Sequence, residues 1–203
     1  MPESHSLPQW NYYRMLEADL ERSFRYIQPT NNHLDVYSDH FSMIILAACS
    51  EIENALQAFS QLVDCTPTPK KILQFHLCIT SVYPSFCETQ IAMPRFNARF
   101  TPWGTWSQTE APDWWTNGYN KIKHDRINHP TAATFKHALG AMAGLQTLLL
   151  HYYRQFLPGA YMPAELEPHL LRLVEESGAF NNGGISWRWD LPDEIKAKRT
   201  NHS

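Results

Sequence analysis

The sequence predicts an all-α fold, an up-and-down helical bundle with a Pro- and aromatic-rich irregular segment inserted before the fourth helix. Three observations carry that expectation. Apolar residues recur at three- and four-residue steps over several long segments, and proline-marked breaks separate those segments. The third is composition: 43% hydrophobic against 18% charged residues describes a chain that packs a core. With 203 residues, a single domain over 1–203 is the default, its bundle core at 9–176, the insert at 84–112 and a C-terminal extension at 177–203. A chain of this size buries roughly 70% of the surface its unfolded form exposes, so neither disulfides nor a metal are needed to hold it.

The first helix starts near Gln9, after Pro8, and carries Trp10, Tyr13, Leu16, Leu20, Phe24 and Ile27 on one stripe until Pro29 ends it. The second runs from Tyr37 to Val63, with Phe41, Ile44, Ile45, Ala48, Ile52, Leu56 and Phe59 on a broad apolar face. Two prolines between Asp64 and Pro69 break it, and a third helix follows from Lys70 to about Tyr83. Pro84, Pro94, Pro102 and Pro112 then punctuate a stretch bearing Phe86, Phe96, Phe100, Trp103 and Trp106. That segment is expected to lie across grooves between helices, because exposing so much apolar area costs several kcal/mol at about 25 cal/mol per Å². A ligand-stacking role for these rings is the alternative.

Asp113 is placed to cap the fourth helix, on which Trp115, Tyr119 and Ile122 face inward. The fifth, from Thr131 to Phe156, has Phe135, Leu139, Met142, Leu145, Leu149, Tyr152 and Phe156 at core spacing. Its small residues Gly140, Ala141, Ala143 and Gly144 admit a close neighbour, either within the bundle or in another subunit. A shorter helix over Pro163 to Glu176 is expected to cap the bundle, followed by a turn at 181–184 and a short docked segment at 185–190.

Lys and Arg number 17 against 20 Asp and Glu, a net charge of −3 that excludes a uniformly basic nucleic-acid coat. The four cysteines, Cys49, Cys65, Cys78 and Cys87, form no C-x-x-C pair, and the N-terminus has neither a basic nor an apolar leader region. A reduced, cytoplasmic protein is the simplest reading. The longest strictly apolar run, Met43 to Cys49, falls far short of the roughly 20 residues that cross a bilayer, so no membrane association is expected. H-E-x-x-H is absent and the Cys/His spacings match no zinc framework, so no metal or other cofactor is expected.

The densest usable chemistry lies between Tyr119 and His129. Asn120 and His124 stand four apart and share a helical face, with Asn117 a turn earlier and Lys121 three before the histidine. Arg126 lies two beyond His124 and joins it only if the helix ends or bends. A histidine that titrates near neutral pH moves protons, and the cations Lys121, Lys123 and Arg126 would hold a phosphate and offset the charge that develops on it. RNA cleavage needs little more, since the substrate brings its own 2′-hydroxyl nucleophile. A cationic helix end also complements the negative pole of the helix dipole, the purely structural explanation of the same residues. Glu51 and Glu53, in mid-helix beside the apolar stripe, are possible supporting carboxylates; they share no face, and one of them is placed to pair with Lys121, Lys123 or Arg126.

The run Trp114-Trp115-x-x-x-Tyr119-Asn120-x-x-Lys123-His124-x-Arg126, with Phe41 to Glu53 upstream, resembles HEPN-like helical-bundle proteins of bacteria over roughly Tyr12 to Tyr153. Members of that superfamily carry an arginine, often followed by asparagine, and a histidine four to six residues later. Many are dimeric, metal-independent ribonucleases of toxin–antitoxin, abortive-infection and CRISPR-associated systems. The resemblance implies a homodimer acting on RNA in a defence setting, with Asn120 and His124 in the motif positions. Tyr119 stands where the arginine would be, so Lys121, Lys123 or Arg126 would supply its charge, although lysine lacks the bidentate fork of arginine.

Two functions remain open from the sequence. One is an RNA-directed protein, a metal-independent endoribonuclease in which His124 is acid or base, Asn120 orients, and Lys121, Lys123 and Arg126 hold phosphate. The other is a non-catalytic helical interaction or dimerisation module with a protein partner.

Overall fold

The computed structural model describes residues 7–156 and 167–174, and the readings that fall at 1–6, 157–166 and 175–203, the 181–190 segment included, lie outside the described residues. Five α-helices form a bundle: α1 (Pro8–Ser23), α2 (Asp39–Leu62), α3 (Ile72–Val82), α4 (Asn120–Asp125) and α5 (Phe135–Arg154). Local chemistry sets their ends. Pro8, which has no amide proton to lose, opens α1. Ser38 caps α2 by accepting from the Phe41 N–H at 3.1 Å, and Thr134 caps α5 by accepting from the His137 N–H at 3.1 Å. At the other end of α2, Asp64 turns the chain in the left-handed region (φ 55°).

Helices α2 and α5 are the central pair and α1 packs on both. Their apolar stripes meet as the periodicity predicts: Trp10, Tyr13 and Leu20 of α1, Phe41, Ile45, Ala48, Ile52 and Phe59 of α2, and Phe135, Met142, Leu145 and Leu149 of α5 are all fully buried. The segment between α3 and α4 lies on this core. Phe86, Trp103 and Trp106 are buried in it, with ring centroids 4.6 Å apart for Trp103 and Trp106 and 5.5 Å for Phe86 and Trp103.

That segment is less irregular than its prolines predict. β1 (Ile91–Met93) and β2 (Ala98–Phe100) form an antiparallel hairpin, turned at Asn97 with φ 50°, and β3 (Arg172–Leu173) pairs with the other edge of β1, giving the order β2-β1-β3. Residues Arg172 and Leu173 are therefore extended, which corrects the expected helix where it is described. The reason lies in α1. Glu17, only 1% exposed, accepts from the Tyr13 hydroxyl at 3.0 Å and from the backbone N–H groups of His169, Leu170 and Leu171 at 3.0, 2.8 and 3.1 Å. A carboxylate that collects three main-chain donors in one place holds the chain out of a helix, whose internal bonds would compete for the same groups. Gln146 of α5 adds a bond to the Leu171 carbonyl at 2.8 Å.

The cysteines also depart from expectation. Cys65, just beyond α2, is bonded to Cys78 in α3, while Cys49 and Cys87 are free thiols. Spacing alone conceals this pair, because the two sulfurs meet only after the chain reverses between the helices. Closing a 13-residue separation stabilises the folded state by about 3 kcal/mol on the chain-entropy account. Among the described residues no helix is long and apolar enough to cross a membrane.

Gly140 and Gly144 serve the bundle itself. A Cβ on Gly140 would stand 2.7 Å from Trp114 Cδ1, and one on Gly144 would stand 2.8 Å from Trp114 Cζ2. The indole fills the notch they leave and donates from Nε1 to the Pro102 carbonyl at 2.8 Å. Trp103 donates in turn to the Gly144 carbonyl at 3.0 Å.

Gly140→Ala is expected to lower unfolding free energy by about 1–3 kcal/mol through overpacking against Trp114. Urea denaturation measures it, and an unchanged midpoint would show that the notch tolerates a methyl group. A second expectation concerns acid. His151 is partly buried against Tyr83 and Phe86, with ring centroids 4.8 and 4.9 Å away, and desolvation pushes its pKa down to about 4. Because the folded state disfavours the imidazolium, stability is full above the unfolded value near 6.5 and falls as pH drops toward 4, by up to roughly 3 kcal/mol. His151→Phe should flatten thermal stability across that window, and a wild type already flat there would contradict the assignment.

Candidate functional site

Helix α4 is preceded by a π turn, Trp114–Tyr119, in which the Asn120 N–H donates to the Trp115 carbonyl five residues back. A π turn takes more residues than an α turn, so side chains on its two sides lose the three- and four-residue phase of an ordinary helix. Asn117 therefore leaves the face of Asn120 and His124 on which straight helical spacing places it, and its amide donates to Asp113 Oδ1 at 2.7 Å. Asn120 and His124 both follow the π turn, keep their i, i+4 relation and line one groove.

Asp113 does not cap this helix, because its own backbone is already helical (φ −55°, ψ −44°). Its carboxylate instead takes Lys136 Nζ at 2.7 Å and His137 Nε2 at 3.2 Å, fastening the start of the π turn to the start of α5. Hydrogen bonds from Lys136 and Asn117 hold its pKa far below the usual carboxylate range. His137 Nδ1 reaches the Ala132 carbonyl at 2.7 Å, which ties in the preceding loop as well.

The groove lies among α2, α3 and α4 and has a volume of about 570 Å³. Asn120, Lys123 and His124 of α4 stand on one side and Lys70, Lys71, Ile72 and Phe75 on the other, with Glu53, Leu56 and Gln57 of α2 and Trp115 completing it. Lys123 is held: its ammonium donates to Glu53 at 3.0 and 3.4 Å and sits 4.8 Å from the centroid of the Tyr119 ring. The Tyr119 contact, then Glu53, raise the Lys123 pKa. Tyr119 itself is buried in the core and its ring serves as a platform beneath a lysine.

Lys70 and Lys71 are exposed, and their ammonium groups enter no ion pair among the described residues. Their backbone N–H groups both donate to Gln74 Oε1, at 2.8 and 3.1 Å, which fixes the chain just before α3. Spacing gives no sign of this pair, because it joins the histidine only through the turn between α2 and α3. A Lys-Lys step directly after a proline-bounded loop is the one hint the sequence offers.

Arg126, Lys121 and Glu51, also singled out from sequence, stay outside the groove. Arg126 pairs with Asp39, the first residue of α2, at 3.3 Å, so the helix end sends it toward α2 and away from His124. Lys121 is exposed and does not line the groove. Glu51 accepts from Asn54 at 3.2 Å on its own helix, whereas Glu53 is the carboxylate that reaches Lys123. Among the described residues no three His, Cys, Asp or Glu side chains are grouped to hold a metal ion.

Among the described residues the groove thus offers two lysines outside any ion pair, a third lysine neutralised in part by Glu53, an imidazole and an amide, around apolar side chains from Leu56, Ile72, Phe75 and Trp115. It suits an anion with an apolar or planar portion, and one proton-transfer group faces that anion. No family model, curated protein or solved structure matches the chain.

Asp113→Asn tests the fastening that orients α4. A carboxylate with a depressed folded pKa adds stability that is present above pH 4 and lost as pH falls through the folded value. The variant should be less stable than wild type at neutral pH and show a shallower loss in acid; matching pH–stability curves would refute the role given to Asp113.

Proposed function

We propose that this chain is an RNA-directed protein that takes a single-stranded phosphodiester into the groove among α2, α3 and α4 and cleaves it without a metal ion. The observation that carries the proposal is the convergence of Lys70, Lys71, Lys123, Asn120 and His124 on one groove of about 570 Å³ in a chain whose net charge is −3. Local cations in an otherwise acidic molecule favour a small number of phosphate contacts over indiscriminate coating of a polyanion.

In this reading His124 accepts the proton of the ribose 2′-hydroxyl as its oxygen attacks the adjacent phosphorus. The 5′-oxygen leaves and takes a proton from water, the imidazolium returns its own proton to solvent, and the product carries a 2′,3′-cyclic phosphate. Lys70 and Lys71 offset the charge that builds on the non-bridging oxygens, and the Asn120 amide orients a phosphate or sugar oxygen. A homodimer and a bacterial defence or toxin–antitoxin setting belong to the same proposal through the HEPN-like resemblance.

One observation favours a second reading, in which the groove binds without cutting. Arg126 is engaged by Asp39, and among the described residues no arginine lines the groove to clamp a phosphorane in the bidentate manner. An interaction module that binds a partner through the same face follows from that arrangement.

Incubation with single-stranded RNA in EDTA separates the two. Cleavage is expected to leave 5′-hydroxyl ends, to spare a 2′-deoxy substrate, and to fall by about 10²–10⁴-fold in His124→Ala with binding retained. Binding without cleavage selects the second reading. Cleavage that His124→Ala leaves at full rate, or RNA that does not bind at all, overturns the assignment of this groove.

A further inference from the structure

We propose that the Cys65–Cys78 disulfide controls the RNA groove, which is competent when the bond is formed and loses its α3-side cations when the bond is reduced. This inference rests on the proposed RNA-binding reading and adds its regulation. Both lysines on that side, Lys70 and Lys71, lie within the loop that the disulfide closes, and both line the groove. Their stretch, between Leu62 at the end of α2 and Ile72 at the start of α3, contains no regular helix or strand.

The remaining ties on this stretch are few. The Cys65 N–H donates to the Ser60 carbonyl at 3.0 Å, Gln57 reaches the Pro69 carbonyl at a long 3.4 Å, and Gln74 binds the Lys70 and Lys71 amides from the first turn of α3. Gln74 thus ties the two lysine amides to that helix, and among the described residues Gln57 joins their immediate neighbour back to α2. The disulfide is the one covalent crosslink between the chain leaving α2 and the buried face of α3, where Cys78 sits with Phe75 and Ile79.

The chemistry of the switch balances with a dithiol as reductant. Cys65 is partly exposed and Cys78 buried, so a reductant thiolate attacks Cys65 Sγ and Cys78 leaves as thiolate. The second thiol of the reductant then displaces Cys65 and closes the reductant into its cyclic disulfide. Two electrons and two protons pass to the protein, which ends with two thiols. Freed of the crosslink, the loop samples many conformations, and holding two ammonium groups over the groove then costs conformational entropy that the oxidised loop has already lost.

Binding of a short fluorescent 2′-O-methyl oligouridine, which resists cleavage, is measured across salt concentrations for the full chain, oxidised and after excess dithiothreitol. The reduced protein is expected to bind roughly tenfold more weakly, with a log–log salt slope shallower by about 1.4, two single-strand phosphate contacts' worth. The Cys65→Ser/Cys78→Ser variant should match the reduced wild type. Oxidised Lys70→Gln/Lys71→Gln retains the crosslink, should show the same loss, and should not weaken further on reduction. Equal affinity and slope for oxidised and reduced wild type overturn the switch and leave the RNA reading standing. Absence of binding in both states overturns the RNA reading and the switch with it. Reduction that weakens the Lys70→Gln/Lys71→Gln variant as much as wild type also overturns the proposal, because the effect then does not pass through these lysines.

Discussion

The seat of Trp114 in the notch of Gly140 and Gly144 is the contact on which the placement of the groove depends. Its indole is too close to α5 for any residue but glycine at those two positions, and its N–H is spent on the Pro102 carbonyl. The ring therefore fixes the distance, the rotation and the neighbouring loop together. Asp113, one residue earlier, is bound to Lys136 and His137 on the same helix. With its first two residues pinned to α5, the fourth helical segment completes its path to α2 through a π turn, and that turn sets the azimuth at which Asn120 and His124 emerge. Packing between buried residues thus decides the direction of exposed ones.

Charge is arranged on the same scaffold. Arg22, Arg126 and Lys136 each have a carboxylate partner, so much of the basic side-chain surface is neutralised locally. Exposed pairs of this kind add little to stability, about 0–1 kcal/mol each, and their larger effect is on the field the surface projects. Among the described residues Lys70 and Lys71 meet no carboxylate, so the groove carries local positive charge on a molecule of net negative charge. Lys123 occupies an intermediate position: Glu53 cancels part of its charge while the Tyr119 ring beneath it keeps the ammonium in place.

What the sequence made legible follows from range. Three- and four-residue periodicity reports contacts along one helix, and it located α1, α2, α3 and α5 to within a few residues and named most of the core. It also paired Asn120 with His124, since that relation is contained within α4. The π turn escaped it because Trp114 to Tyr119 carries no signature of an extra residue per turn. Glu17 reads as an ordinary surface carboxylate of α1 until a segment some 150 residues later delivers three N–H groups to it, and β3 follows from that meeting. Lys70 and Lys71 belong to the same class: they share the groove with the imidazole but come from across a loop. Arg126, by contrast, was visibly out of phase with His124, and the structure shows where it goes instead.

A groove assembled from an ordered helix on one side and an irregular loop on the other carries an asymmetric entropic cost. The α4 wall is fixed by buried aromatic packing, so Asn120 and His124 reach a ligand with little left to lose beyond their own rotamers. The lysine wall has no such packing under it except Pro69 and the apolar face of α3. Restraining the loop before a ligand arrives moves the cost of ordering from the binding step to folding, where the bundle core carries it, and affinity rises without any new contact. A covalent crosslink does this more completely than the single long bond from Gln57, since it limits the unfolded and open states of the loop whether or not a phosphate is present. The chain thus holds one side of its groove by burial and the other by a bond that redox chemistry can break, and that difference makes the lysine side the part of the site open to control.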